Sequence, residues 1–360
     1  MKQIQKLSLQ NSQRLTVMGR MRMADWIQMP EPEFAREVEK LEKDPLFQKL
    51  YFGDGRIPSA VRRQRWPGGK LAGSFYEINE RTATGAGERV GVEEFAEARG
   101  PALAAIKRMG QKDFERYFIH GEDALTLEEI GRRTKLSPED VRSIHELVVE
   151  LGARSEFEGK VTAPSAAPGR QAACLAKISL ESGAPVFEFY APYWARGLYQ
   201  IRFDLIERWK AGGLNPEERR HLPALLKRLE TVNLRQSTLF RLLEMIGRLQ
   251  SDYLTTERAE DIRPISLRQL AKRLDLAPST VSRAFSRRSV RLPSERELPL
   301  IAFTPGRRSV LRELLGQWLK VDSAVTDGAL VLRLKAERGI AISRRTVNAV
   351  RHELKAVKRR

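Results

Sequence analysis

The chain has one cysteine, four histidines and few aromatic residues, only 7% of its 360 positions. A lone Cys174 excludes an internal disulfide and a cysteine-built zinc site, because each needs a second thiol. It lies among alanines, where a small packed residue fits better than a nucleophile, and its isolation suits a reducing, cytoplasmic setting. His120, His145, His221 and His352 are scattered without metal-ligand spacing. There is no Walker loop, no Gly-x-Ser-x-Gly and no obvious paired acid site, so no enzyme activity and no cofactor is expected. No run approaches the roughly 18 apolar residues that a membrane span needs. Met1 to Leu15 lacks the apolar core of a signal peptide, so no membrane partner is expected. An apolar content of 41% with 31% charged residues nevertheless supports a globular chain long enough for two or three domains.

Negative charge is also scarce, and at one end. From Asp261 to Arg360 there are 23 Lys and Arg against 9 Asp and Glu, a net +14 of the whole chain's +18. Such concentration favours a polyanion partner over a mere solubility device.

The last stretch shows what that charge does. Thr326-Asp327 can cap a helix with Leu330, Leu332, Leu334 and Ala336 on its apolar side. Gly339 permits the positive φ of a sharp turn. Ser343 caps a second helix whose Val347, Val350 and Leu354 form a buried stripe. Ser343, Arg344, Arg345, Thr346, Asn348 and Arg351 remain near the leading end, where a recognition helix meets base edges. A second unit spans Ser266 to Pro293. Ser266 caps, Leu267, Leu270, Ala271 and Leu274 are expected inside, Asp275-Leu276-Ala277 turns, and Ser279 caps again. That leaves Ser279, Thr280, Ser282, Arg283, Arg287, Arg288 and Arg291 exposed to bases and phosphates.

Two strings carry a resemblance. Ser343-Arg344-Arg345-Thr346-Val347 with Arg351 resembles the RpoN box of sigma-54 RNA polymerase factors, departing at Ser343, Asn348, Ala349, Val350 and His352. Ser279-Thr280-Val281-Ser282-Arg283-Ala284 is similar to that family's downstream helix-turn-helix. The resemblance implies promoter double-stranded DNA as a partner. The C-terminal set would take an upstream GG element and the Ser279-to-Arg288 set a downstream GC element. It also implies RNA polymerase core and an AAA+ activator as partners, the chain being a dissociable specificity subunit in a bacterial, nucleoid-associated cytoplasm.

The N-terminal 1–52, with Gln13, Leu15, Trp26, Ile27, Pro45 and Leu46, resembles region I, which in the family receives the activator and holds the complex closed. Taken without the resemblance, Phe34, Val38 and Leu41 form one apolar face of a helix that packs on the rest or docks on a partner. Residues 53–100, broken by Gly and Pro, read as a linker of region II type but not acidic, with Arg62, Arg63, Arg65 and Trp66 as a basic and aromatic cluster.

Residues 101–230 resemble a shortened core-binding domain. It opens with Thr126-Leu127-Glu128-Glu129, a capping box, in an acidic helix-turn-helix, and Val186–Tyr190 and Tyr199–Phe203 read as strands. Residues 231–305 carry a long helix, with a break near Asn233, and the downstream unit; 306–360 carry the RpoN-box domain. The expected fold is mainly α: a multi-domain helical protein with helix-turn-helix units. Two readings stand beside the sigma factor. One is a stand-alone helix-turn-helix regulator or degenerate sigma paralogue; the other is a recombinase or transposase.

Overall fold

A computed structural model describes residues 24–73, 92–120, 125, 127–158 and 172–358. Gln13, Leu15 and the Thr126 cap lie outside the described residues. The elements used below are α1 (Glu31–Glu42), α2 (Pro45–Phe52), β1 (Val61–Gln64), β2 (Gly69–Leu71), α3 (Val92–Met109), α4 (Leu127–Thr134) and α5 (Pro138–Glu158). They continue as β3 (Ala173–Glu181), β4 (Ala184–Phe189), β5 (Leu198–Ile201), α6 (Pro216–Leu249), α7 (Leu267–Leu274), α8 (Pro278–Phe285), β6 (Arg288–Arg291) and β7 (Glu297–Pro299). The chain ends on α9 (Arg307–Val321), α10 (Asp327–Arg338) and α11 (Arg344–Lys358). Helices dominate, as expected, but a five-stranded sheet runs through the middle in the order β2-β4-β3-β6-β7, and β1 pairs antiparallel with β5.

Side chains divide into two apolar cores. The larger extends from Ile27 to Phe303, and the smaller from Val310 to Val350. The boundaries placed at residues 52, 100 and 230 therefore fall inside one core. Residues 53–73 are not a linker. β1 pairs with β5, β2 joins the sheet through β4, and Trp66 is buried with its ring stacked 4.2 Å from Phe240. Gly197 makes this packing possible: at φ +72° it passes so close to Gln64 O that a Cβ would lie 2.0 Å away. Helix α6 also runs unbroken through Asn233. The Asn233 amide does not end the helix; it pairs sideways with the backbone of β5, accepting from Tyr199 N at 2.8 Å and donating to Tyr199 O at 2.7 Å.

Helix α1 begins and ends with a buried carboxylate. The Glu31 carboxylate accepts from Arg235 Nη2 at 2.7 Å, Arg288 Nε at 2.6 Å, Tyr193 OH at 3.1 Å and Trp194 Nε1 at 3.2 Å. Glu42 accepts from Arg63 Nη2 at 2.5 Å, Arg196 Nη1 at 2.6 Å and Tyr199 OH at 2.6 Å. Burial alone would raise both carboxyl pKa values; two facing guanidiniums outweigh it and hold each near 2, well below 4.5. Arg63 is thus spent inside the protein, as is Trp66, while Arg65 of the expected cluster is exposed and Arg62 half-buried.

These ties set two expectations. Glu42→Ala leaves Arg63 and Arg196 buried without their carboxylate and should cost about 3–5 kcal/mol in urea unfolding. The control Glu39→Ala, which breaks an ion pair with a half-exposed Lys43 side chain, should cost at most about 1 kcal/mol. The second concerns His145, buried against the Tyr51 and Phe52 rings. Burial, with Arg196 and Arg63 nearby, lowers its pKa from 6.5 to about 3 against the opposing pull of Glu42. The unfolded chain then binds the extra proton, so stability is complete above pH 6.5 and falls as pH drops toward 3. The unfolding free energy from urea titrations should decline by about 1.4 kcal/mol per pH unit below 6.5, and His145→Phe should flatten that decline above pH 4.5, before the carboxylates begin to protonate.

Candidate nucleic-acid interface

The first helix-turn-helix is built from α7 and α8. Ser266 and Gln269 form a capping box, with Gln269 N donating to Ser266 Oγ and Ser266 N donating to Gln269 Oε1 at 2.8 Å. Leu270, Ala271 and Leu274 are buried, and Asp275 turns the chain in the left-handed region at φ +54°. Helix α8 starts at Pro278 behind Ala277, so Ser279 is not its cap; proline at the first position needs no donor and fixes the entry φ. Val281, Ala284 and Phe285 face inward. Ser279, Ser282, Arg283 and Arg287 are exposed and Thr280 half-exposed, as the stripe requires.

Arg288 departs from expectation. It is only 2% exposed, because its guanidinium turns inward. It donates to Ala284 O at 2.9 Å, satisfying the end of α8, to Ile27 O and Met29 O, and to Glu31. It is removed from the set of residues that could touch DNA. Arg291, half-buried beside Tyr190 and Glu295, is not on the exposed face either. Sequence reasoning missed Arg268, Lys272 and Arg273. They occupy the outer face of α7, exposed and without partners among the described residues. The signal was present: they are the polar positions of the α7 period.

The second unit joins α10 and α11. Thr326 caps α10 through Ala329 N, and Gly339 closes it at φ +62°, its N–H reaching Lys335 O while Ile340 N reaches Leu334 O. Ser343 Oγ accepts from Thr346 N at 3.3 Å and opens α11. Leu330, Leu334, Ile340, Val347 and Val350 close on Leu311, Leu314 and Leu315 of α9. Leu332, read as apolar-side, is 70% exposed, and Ala336 is exposed too, because a step of two residues from Leu330 or Leu334 turns about 200° around the helix. Of the six residues expected at the leading end, Ser343, Arg344, Arg345, Thr346 and Asn348 are exposed and Arg351 is half-buried. Asn348 and Arg351 are held back by Asp327, whose carboxylate takes Asn348 Nδ2 and Arg351 Nη1, both at 2.8 Å. The Asn348 bond, with Arg351 against slight burial, keeps the Asp327 pKa below the usual carboxylate range. Arg344 lies over the start of α10 at Gly328, and Arg345 has no partner among the described residues.

The N-terminal candidates fare differently. Ile27 and Leu46 are 3% exposed, and Trp26 packs edge-on to Phe34 while its carbonyl accepts from Arg235. Pro45 alone of these is exposed, at the start of α2 where Asp44 caps. Buried side chains offer no surface to an activator, so Ile27 and Leu46 are corrected from contact residues to core residues.

Arg287 and Arg288 give a paired test. Arg287→Ala should weaken duplex binding and lower the slope of log K against log salt by about 0.9, leaving thermal stability within about 0.5 kcal/mol. Arg288→Ala should instead cost about 3–5 kcal/mol of stability by stranding Glu31. An unchanged melting midpoint for Arg288→Ala would sink the buried assignment.

The chain is similar to known proteins. The family model described as Sigma-54, DNA binding domain, matches residues 218–303, which take in α6, α7, α8 and the strands after them. The RNA polymerase sigma-54 factor of Cereibacter sphaeroides is 31% identical over 137 residues, 34% of this chain and 31% of that protein. The match spans about a third of that curated relative's length. The crystal structure of Aquifex aeolicus sigmaN bound to promoter DNA is similar over 78% of this chain and 96% of that one, at 18% identity. Its TM-score of 0.37 means that this superposition carries no argument here. Within this chain, residues 218–303 therefore resemble the DNA-binding domain of sigma-54 factors.

Proposed function

We propose that the chain is a sigma-54-type transcription initiation factor, a dissociable subunit without enzymatic activity of its own. It binds RNA polymerase core and directs it to promoters with an upstream GG and a downstream GC element. The observation that carries this reading is the pairing of two exposed helix-turn-helix faces in one chain. One lies inside the matched domain and the other presents Arg344 and Arg345 on α11.

Arg345 is the best candidate for bidentate contact with guanine O6 and N7, worth about 1–3 kcal/mol of discrimination. Arg344 stands beside it, and Ser343 and Thr346 suit phosphate or base-edge hydrogen bonds. Arg283, Thr280, Ser279, Ser282 and Arg287 face the downstream element, with Arg268, Lys272 and Arg273 of α7 on its backbone. Asn348 and Arg351 act indirectly: held by Asp327, they fix the angle of α11. An AAA+ activator remains part of the reading, acting on the stretch before α1.

One observation favours a second reading. The residues expected to receive the activator are largely built into the core, which fits a degenerate paralogue that binds DNA and no longer needs remodelling. Co-purification with polymerase core separates the two, followed by footprinting on a GG–GC duplex. We expect core to be retained and both elements protected. Arg345→Ala should then weaken binding to the GG-containing duplex about 10-fold or more, with core retention unchanged. Equal loss on random duplex would argue against base readout by Arg345.

A further inference from the structure

Resting on that reading, we infer that the ion pair between Asp261 and Arg338 fixes the relative orientation of the two helix-turn-helix units, and so the spacing between DNA elements that the chain accepts. The two units belong to different cores. Apart from the chain through 304–306, little joins them. Ile262 is the apolar side chain that packs on both cores among the described residues. Beside it, Arg338 Nη1 donates to Asp261 Oδ1 at 2.7 Å. The other carboxylate oxygen accepts from Thr256 Oγ1 at 2.7 Å, so the acid is held in one orientation. The pair is largely shielded, the side chains being 29% and 15% exposed.

Its position gives it leverage. Asp261 stands five residues before Ser266, the cap of α7. Arg338 is the last residue of α10, immediately before the left-handed Gly339 that sets the turn into α11. The bond therefore joins the entry of one DNA-reading unit to the turn of the other. The groove lined by Pro264, Ile265, Ser266, Gln269 and Arg307 is open and only half apolar, so beyond Ile262 it adds little dry contact to hold the angle in the bond's absence. Two reading heads on one rigid body accept one separation along the duplex; on a hinge they accept several, each with lower effective concentration.

The test uses the full chain with Asp261→Ala, Arg338→Ala, and the swapped pair Asp261→Arg with Arg338→Asp. Affinity is measured on duplexes carrying GG and GC elements at separations stepped by single base pairs, and on duplexes with one element. The parent chain should prefer one separation. Each single variant should bind that separation about fivefold more weakly and lose less on neighbouring ones. Single-element duplexes should be bound as by the parent, and the swapped pair should recover the parent profile. Without DNA, spin labels on Lys272→Cys and Ala349→Cys in a Cys174→Ser background should give one narrow distance distribution, broadened by Asp261→Ala. A separation profile or label distribution that the single variants leave unchanged overturns the inference. If the parent chain ignores spaced duplexes altogether, the sigma-factor reading fails, while the label distances still decide whether the bond sets the angle.

Discussion

Everything in the larger core depends on how helix α1 is fixed at both ends. A carboxylate that is 1% exposed survives in the charged state only if facing cations replace the water it has lost. Glu31 and Glu42 each have two such guanidiniums, plus phenol or indole donors. The cations come from far along the chain: Arg63 on β1, Arg196 after the buried Tyr193-Trp194 turn, Arg235 in mid-α6, and Arg288 at the exit from α8. Each contact has strict geometry, so α1 is the jig against which β1, α6 and the first helix-turn-helix are set. The aromatic faces follow from the same requirement, with Arg235 lying 3.6 Å above the Phe34 ring and Arg63 3.6 Å above Tyr199.

Arg288 shows how densely the constraint is used. It is the first residue of β6, the partner that completes the end of α8, and a ligand of Glu31. The left-handed Arg287 just before it, at φ +57°, reverses the chain so that one arginine points out and the next points in. Strand β6 then lies parallel to β3 and antiparallel to β7, so the first helix-turn-helix unit is tied to the edge of the central sheet and is not a pendant domain.

The local devices were legible in the sequence. Ser266, Thr326, Ser343 and Gly339 act where hydroxyl and glycine positions said they would, and the stripes Leu270-Ala271-Leu274 and Val347-Val350 are buried as their period required. Strands β4 and β5 were visible from alternation. What the sequence hid depends on contacts between distant segments. Nothing near Arg288 reveals that Glu31, 257 positions away, will draw it inside. An arginine in a basic run reads as surface by default. β3, β6 and β7 were missed because polar residues interrupt their apolar alternation, and burial comes from the neighbouring strands. Asn233 looked like a helix breaker because its amide competes with helical backbone; here that same amide is needed sideways, by Tyr199.

The two helix-turn-helix units consequently solve one problem by different means. The first borrows rigidity from a large core through Arg288 and the sheet, and its outer face, Arg268 to Arg287, makes no ion pair among the described residues. The second has a core of nine buried apolar residues among the described ones, from Val310 to Val350. It must supply its own polar stiffening, which it does with Asp327 gripping Asn348 and Arg351, and with Glu353 tied to Arg308 and Arg312. Those ties consume cations that composition alone would assign to a polyanion. Each tie removes a cation together with an acid, so the net +14 of the last hundred residues stands while fewer than their 23 Lys and Arg are free to meet a duplex. The residues left over at the head of α11, Arg344 and Arg345, are the ones for which the fold has no internal use.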